Sequence, residues 1–193
     1  MTIFDLVFIA LFLVSIATLA VAAIFAVLGR RARAIRILKV FAIGVAIYCG
    51  IVIIVSLLAP ARVLSAGQPL CFDDWCITVE GAERTASQSE VSYVVRLRLS
   101  SRARRATQRE NGVVVYLTDA NRTRYDPVPD TSATPLNVQL QPVESVVTSR
   151  TFKVPPDVHV RGLVISHEGG FPIDWFIIGG GPFRKPPIVR LDE

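Results

Sequence analysis

The chain has 193 residues, of which 51% are apolar, and its formal net charge at pH 7 is +5. Six of the 21 Lys and Arg residues and one of the 16 acidic residues precede Gly67, so the rest of the chain carries 15 of each sign. A length near 190 residues allows one ordinary domain plus a smaller unit. The neutral second part argues against bulk nucleic-acid binding, which needs a large excess of positive charge.

Two long uncharged segments open the chain. The first runs over Leu6–Leu28 for 23 residues, and the second over Val40–Ala59 for 20 residues. Each is long enough to cross a hydrocarbon core of about 30 Å as a helix, and helices of soluble cores rarely run this far without a charged face. The start "MTIFD" lacks the positive charge of a cleaved signal peptide, whose apolar region is also shorter. We therefore expect two retained membrane spans at about 6–28 and 40–59, forming a hairpin over residues 1–62.

The connector between the two spans is strongly basic. Short basic loops stay on the cytoplasmic side of a membrane, and the other flanks carry little positive charge. This predicts a cytoplasmic loop at 29–39, with both termini and everything after residue 62 extracytoplasmic. The topology-determining residues are Arg30, Arg31, Arg33, Arg36 and Lys39.

Small residues recur on the second predicted span. Ala42, Ala46 and Gly50 have the four-residue spacing that allows close approach of two helices. The spacing predicts that this face packs on the first span. Neither span carries an ionisable Asp, Glu, Lys, Arg or His, so an ion pathway is not indicated.

Two cysteines are separated by four residues in "CFDDWC". In an extracytoplasmic compartment disulfides form and persist, and Cys49 lies inside a span, so we expect a bond between Cys71 and Cys76. A metal site with Asp73 and Asp74 lacks further zinc ligands nearby. A redox role stays open as an alternative, although the C-x-x-C spacing is absent.

After a linker at 63–70, residues 71–193 show the alternating pattern of β-strands. In "VSYVVRLRLSS", Val95, Leu97 and Leu99 alternate with Arg96 and Arg98, as in a half-solvated antiparallel strand. Further strands are predicted in "WCITVEG", "GVVVYLTD", "LNVQL", "SVVTSRTFKV", "RGLVISHE", "DWFIIGG" and "PPIVRLD". About seven short strands in this length predict an all-β sandwich or barrel.

The segments "YVVRLRLSS", "VVVYLTDANRTRY" and "LQPVESVVTSRTFKVP" resemble the telokin-like immunoglobulin-type β-sandwich domains of secreted and membrane-anchored bacterial proteins, most of unknown function. The resemblance covers about residues 70–165. It implies an immunoglobulin-like sandwich and supplies no catalytic residues. The matching positions are Tyr93, Leu117, Asp119, Tyr125, Pro142, Phe152, Val154 and Pro155.

Two features are candidates for a partner surface. The segment "SRARRATQR" places four arginines within eight residues: Arg102, Arg104, Arg105 and Arg109. They suit an acidic partner or anionic lipid headgroups, and they also suit a solvated loop that discourages aggregation. In "EGGFPIDWFIIGGGPF", glycines flank Phe171, Trp175 and Phe176, which suit either a partner site or a buried last strand.

No catalytic, metal or cofactor signature is present. The two histidines, His159 and His167, accompany no nucleophile motif, and at His167 a surface or capped histidine is expected. We expect a non-enzymatic, multi-pass protein of the inner membrane that contacts lipid and another envelope protein, with no small-molecule substrate or cofactor. The alternative is a redox or envelope-stress sensor acting through Cys71 and Cys76.

Overall fold

The computed structural model describes residues 3–168, 176, 183 and 185–191. These residues fall into two compact units. The helical unit contains residues 3–60 with Phe176, Phe183 and Lys185. The β unit contains residues 61–168 and 186–191.

The helical unit is built on two long helices that pack against each other. Helix α1 is Ile3–Val27 and helix α2 is Arg31–Leu58. Both are long and apolar enough to cross a membrane. Most of their large side chains are exposed, among them Leu13 at 60%, Ile47 at 61% and Ile54 at 58%.

The turn between the helices is short because Gly29 closes α1. Gly29 has φ +73°, a left-handed conformation that glycine adopts without steric cost. The Arg30 N–H donates to the Phe25 carbonyl at 2.9 Å, and the Gly29 N–H donates to the Ala26 carbonyl at 3.1 Å. This is the Schellman arrangement, which satisfies carbonyls at the end of a helix and reverses the chain within a few residues.

The basic connector differs from the predicted loop at 29–39. Helix α2 begins at Arg31, so Arg31, Arg33, Arg36 and Lys39 lie in its first turns, and only Arg30 precedes them. The Schellman turn is tight enough to leave the rest of the connector helical. The predicted packing of Ala42 and Ala46 is also wrong, since both are exposed. The deeply buried helix residues are instead Ala22, Ala34, Val52 and Ser56.

The β unit consists of two sheets. One sheet has the order β1-β9-β8-β5-β6 and the other the order β2-β3-β4-β7. All neighbouring strands are antiparallel except β1 and β9, which are parallel. The strands are β1 Val63–Leu64, β2 Pro69–Phe72, β3 Trp75–Ala86, β4 Val91–Ser101, β5 Val113–Asp119, β6 Arg124–Tyr125, β7 Ser145–Val154, β8 Val160–His167 and β9 Ile188–Val189.

The core of the β unit is formed by alternate residues of these strands. In β4, the odd-numbered positions from Val91 to Ser101 are buried, while Arg96 and Arg98 are exposed, as the alternation predicts. Leu97, Leu117, Phe152 and Leu163 are completely buried. Residues of both sheets contribute to one apolar cluster, which confirms the predicted all-β sandwich.

Two predicted boundaries differ from the structure. The predicted linker at 63–70 contains β1 and the first two residues of β2. The segment "LNVQL" forms no strand; Leu140 makes an isolated bridge with Gln108 and is completely buried. One buried leucine in an irregular segment is enough to imitate a strand pattern. Most of "DWFIIGG" lies outside the described residues.

Candidate functional site

The predicted disulfide is present at the tip of a hairpin. Cys71 and Cys76 are direct cross-strand partners in β2 and β3, and their sulfurs are 2.04 Å apart. The turn between the strands contains Asp73, whose φ of +51° suits Asp better than most residues. Cys76 is completely buried and Cys71 is half-buried. The bond fixes this hairpin at one end of the sheet.

The four arginines lie on the connection between the two sheets. This connection, residues 102–112, is called the arginine loop below, and it joins β4 to β5. Arg102, Arg104, Arg105 and Arg109 are all exposed. Ala103 is only 4% exposed, so the loop is pinned to the β unit between two exposed arginines.

Hydrogen bonds hold the arginine loop along its length. The Arg102 N–H donates to the Asp74 carbonyl at 2.7 Å, which ties the loop to the disulfide hairpin. Gln108 and Leu140 exchange two backbone hydrogen bonds of 2.8 Å. The Glu110 carboxylate is 2.7 Å from His167 Nε2. The arginines therefore extend from a fixed backbone.

The exposed arginines of the arginine loop differ in their pairing from several exposed cations on the strands of the β unit. Several exposed cations elsewhere in the β unit face carboxylates: Arg98 pairs with Glu80, Arg124 with Asp126 and Glu168, and Lys153 with Glu90. Within the described part of the chain, none of the four loop arginines has a carboxylate within ion-pair distance. The loop thus presents concentrated positive charge that is not neutralised locally.

Of the three aromatic candidates, Phe171 and Trp175 lie outside the described residues. Phe176 belongs to the helical unit, and its side chain is 47% exposed. Its backbone carbonyl accepts a hydrogen bond of 2.5 Å from the Tyr48 hydroxyl of α2. The structure therefore places Phe176 with the helices and the arginines with the β unit, so the two predicted surfaces belong to different units.

A groove that the sequence analysis missed lies beside β7. Its volume is about 580 Å³, and its lining includes Pro127, Pro129, Pro135, Asp130 and Arg150. Burial lowers the pKa of Arg150, and the Asp130 carboxylate partly opposes this effect. Arg150 donates to the Thr134 carbonyl at 2.7 Å and to Thr148 Oγ1 at 2.9 Å, so it fastens the groove wall to β7. The proline-rich run "YDPVPD" is the sequence feature that could have indicated this groove.

Of the two histidines, His167 contacts an acidic and an aromatic side chain. His167 is capped by Glu110, as expected, and its ring centroid is 5.8 Å from that of Phe72. Residues 3–168 and the later described positions contain no group of three or more His, Cys, Asp or Glu side chains that could hold a metal ion.

No known protein family and no curated protein matches the chain. Some solved structures are similar to it. An uncharacterized β-sandwich protein from Clostridium difficile 630 matches with 14% identity and a TM-score of 0.42, over 57% of this chain and 91% of that one. The YjhA protein from Bacillus subtilis matches with 11% identity and a TM-score of 0.43, over 67% of this chain and 99% of that one. A conserved hypothetical protein from Bacillus anthracis matches with 11% identity and a TM-score of 0.38, over 56% of this chain and 92% of that one.

Proposed function

We propose that this protein is a non-enzymatic binding module of the bacterial cell envelope, in which the helical hairpin is a membrane anchor and the β unit is extracytoplasmic. Its arginine loop contacts an acidic surface of another envelope protein. The observation that carries the binding proposal is the set of four exposed, locally unneutralised arginines on a fixed backbone.

The exposure of the helices supports the membrane anchor. A helix from a soluble core is mostly buried, whereas α1 and α2 expose apolar side chains on most of their surface. Two hydroxyl groups of α1 form hydrogen bonds within the helix. Ser15 Oγ donates to the Leu11 carbonyl at 2.7 Å, and Thr18 Oγ1 donates to the Val14 carbonyl at 2.8 Å. Lipid offers no hydrogen-bond partners, so this is the arrangement that a membrane requires.

The position of the basic residues supports the proposed orientation. Arg31 and Arg33 lie in the first turn of α2, where positive charge opposes the helix dipole, and this turn contains no acidic residue. These charges therefore do not serve the stability of the helix. A cytoplasmic location beside anionic lipid accounts for them, and it places both termini and the β unit on the outer side.

The strand pairing supports an immunoglobulin-type sandwich of the telokin-like kind. In such domains, strand B pairs with E in one sheet and strand C pairs with F in the other. Here β4 pairs with β7, and β5 pairs with β8. Assigning β3, β4 and β7 to A, B and E, and β5, β8 and β9 to C, F and G, reproduces the pattern.

We assign the disulfide a structural role in this module. Redox sensing is favoured when solvent can reach the cysteine thiolates; here Cys71 is half-buried and Cys76 is completely buried. The bond instead rigidifies the hairpin whose Asp74 carbonyl holds the arginine loop. This makes the redox-sensor alternative the weaker proposal.

Crosslinking in cells tests the binding proposal. A photoreactive residue replaces Thr107, an exposed position of the arginine loop, in the full chain. We expect a specific protein adduct that disappears in the Arg104→Glu/Arg105→Glu variant, because reversed charge repels an acidic partner. The adduct should persist in Arg161→Glu/Arg190→Glu, which reverses two exposed arginines outside the loop. An adduct that survives reversal at 104 and 105 would contradict the proposal.

A further inference from the structure

Phe176 and Phe183 lie between β8 and β9 in the sequence, and the backbone of each is hydrogen-bonded to α2. The Tyr48 hydroxyl donates to the Phe176 carbonyl at 2.5 Å, and the Phe183 N–H donates to Ser56 Oγ at 3.1 Å. Ser56 is completely buried, whereas the side chains of Phe176 and Phe183 are 47% and 54% exposed. Both contacts therefore join α2 to backbone groups of Phe176 and Phe183, while the two phenylalanines stay exposed.

The two contacts lie at different heights on α2. Tyr48 and Ser56 are eight residues apart, which corresponds to about 12 Å along a helix. Ser56 lies two residues before the end of α2 at Leu58, whereas Tyr48 lies ten residues before it, about 15 Å from the end. In a hydrocarbon core of about 30 Å, a helix that ends near the surface at Leu58 places Tyr48 close to the middle.

The amino-acid sequence of residues 175–183 suits an apolar environment. The nine residues 175–183, "WFIIGGGPF", carry no charge, and Arg184 and Lys185 follow at once. At membrane depth, the Phe176 carbonyl needs a hydrogen-bond donor from the protein, and the Tyr48 hydroxyl provides one. Likewise, a tyrosine hydroxyl in a span needs an acceptor. Each group satisfies the other.

We propose that Phe176 and Phe183, which hydrogen bonds to Tyr48 and Ser56 hold against α2, lie within the bilayer, where their exposed aromatic rings contact lipid acyl chains. The ligand of this surface is the hydrocarbon core of the bilayer. This inference rests on the proposed membrane anchor. It also implies that Phe176 contacts lipid and that the arginine loop alone contacts the protein partner.

Depth-dependent fluorescence quenching in liposomes tests the inference. In the full chain with Trp75→Phe and Trp175→Phe, a single tryptophan is placed by Phe176→Trp, Phe183→Trp, Ile47→Trp or Val147→Trp. Lipids brominated near the ends of their acyl chains quench deep tryptophans, and lipids brominated near the headgroup quench shallow ones. We expect deep quenching at 176, shallow quenching at 183 and none at 147, an exposed position of β7.

The Ile47→Trp variant separates this inference from the proposed anchor, because Ile47 is 61% exposed on α2 beside Tyr48. Deep quenching at 47 without quenching at 176 would overturn the membrane contact of Phe176 alone. Absence of quenching at both positions would overturn the membrane anchor as well. Adding Tyr48→Phe should reduce the deep quenching at 176 and leave that at 47 unchanged. Unchanged quenching at 176 in this variant would contradict the anchoring role of the hydroxyl.

Discussion

One residue of the β unit, in the turn before β7, has a strained backbone conformation. Val143 has φ +61° and a side chain that is 78% exposed. A β-branched residue in the left-handed region is sterically disfavoured, and no burial of the side chain offsets the cost. The position follows Pro142 in the turn before β7, and a turn of this geometry is usually made with glycine.

We therefore predict that Val143→Gly stabilises the β unit by about 1 kcal/mol. Removal of the steric strain should outweigh the flexibility that glycine adds to the unfolded chain. Urea unfolding of the detergent-solubilised chain, followed by tryptophan fluorescence, measures the change. The matched control is Val147→Gly, an exposed valine inside β7, which should lower stability. A loss of stability at both positions would contradict the prediction.

Asp119 holds the turn between β5 and β6. Its carboxylate accepts a hydrogen bond of 2.8 Å from the Thr123 N–H and one of 3.4 Å from the Tyr125 hydroxyl. Burial opposes the charged form most strongly, but the combined hydrogen bonds outweigh it, chiefly those from Thr123, so the pKa of Asp119 is lowered. The charged carboxylate therefore stabilises the folded state.

This lowered pKa predicts a pH dependence of stability. The contribution of Asp119 is present above the pKa of an unfolded aspartate, about 4, and is lost as the pH falls through the lower folded value. Asp119→Asn should thus destabilise the β unit at pH 7 and less so at pH 2, measured by urea unfolding. Asp74→Asn, at an exposed turn position, is the control and should change little at either pH. An equal loss at both pH values would show that the charge of Asp119 is unimportant.

At the scale of elements, the disulfide hairpin is the clearest link between sequence and structure. The bond closes a loop of six residues, for which the chain-entropy model gives about 2 kcal/mol. We expect Cys71→Ala/Cys76→Ala to lower the free energy of unfolding by this amount while the β unit stays folded. Cys49→Ala, in α2, is the control and should leave urea unfolding of the β unit unchanged. An unfolding midpoint that is the same with and without the bond would rule out the structural role.

Strong, regular patterns explain which elements could be predicted. The uncharged runs predicted both helices, and the alternation of Val95, Leu97 and Leu99 with arginines predicted the faces of β4. The start of α2 was missed because a basic residue is equally compatible with a loop and with an exposed helical turn. The two-residue strand β1 was missed because it is defined by pairing with β9, far along the chain, and two residues carry no period.

The candidate site, like the fold, could be predicted from the sequence only in part. The exposed arginines could be identified because charge is visible in the sequence, but their fixation could not, since it depends on Asp74, Leu140 and His167 from three other segments. The hydrogen bonds of Tyr48 and Ser56 were likewise hidden, because their partners are 128 and 127 residues away. Contacts over such distances follow from topology and leave no local pattern.

At the scale of the whole molecule, the proposed function depends on which side of the membrane the β unit occupies. The direct measurement is labelling of the Cys49→Ser chain with a membrane-impermeant maleimide, in right-side-out and inverted vesicles, before and after reduction. In this variant Cys71 and Cys76 are the remaining cysteines. The account predicts labelling only from the outer side and only after reduction. Labelling from the cytoplasmic side would contradict the topology, and labelling before reduction would contradict the disulfide.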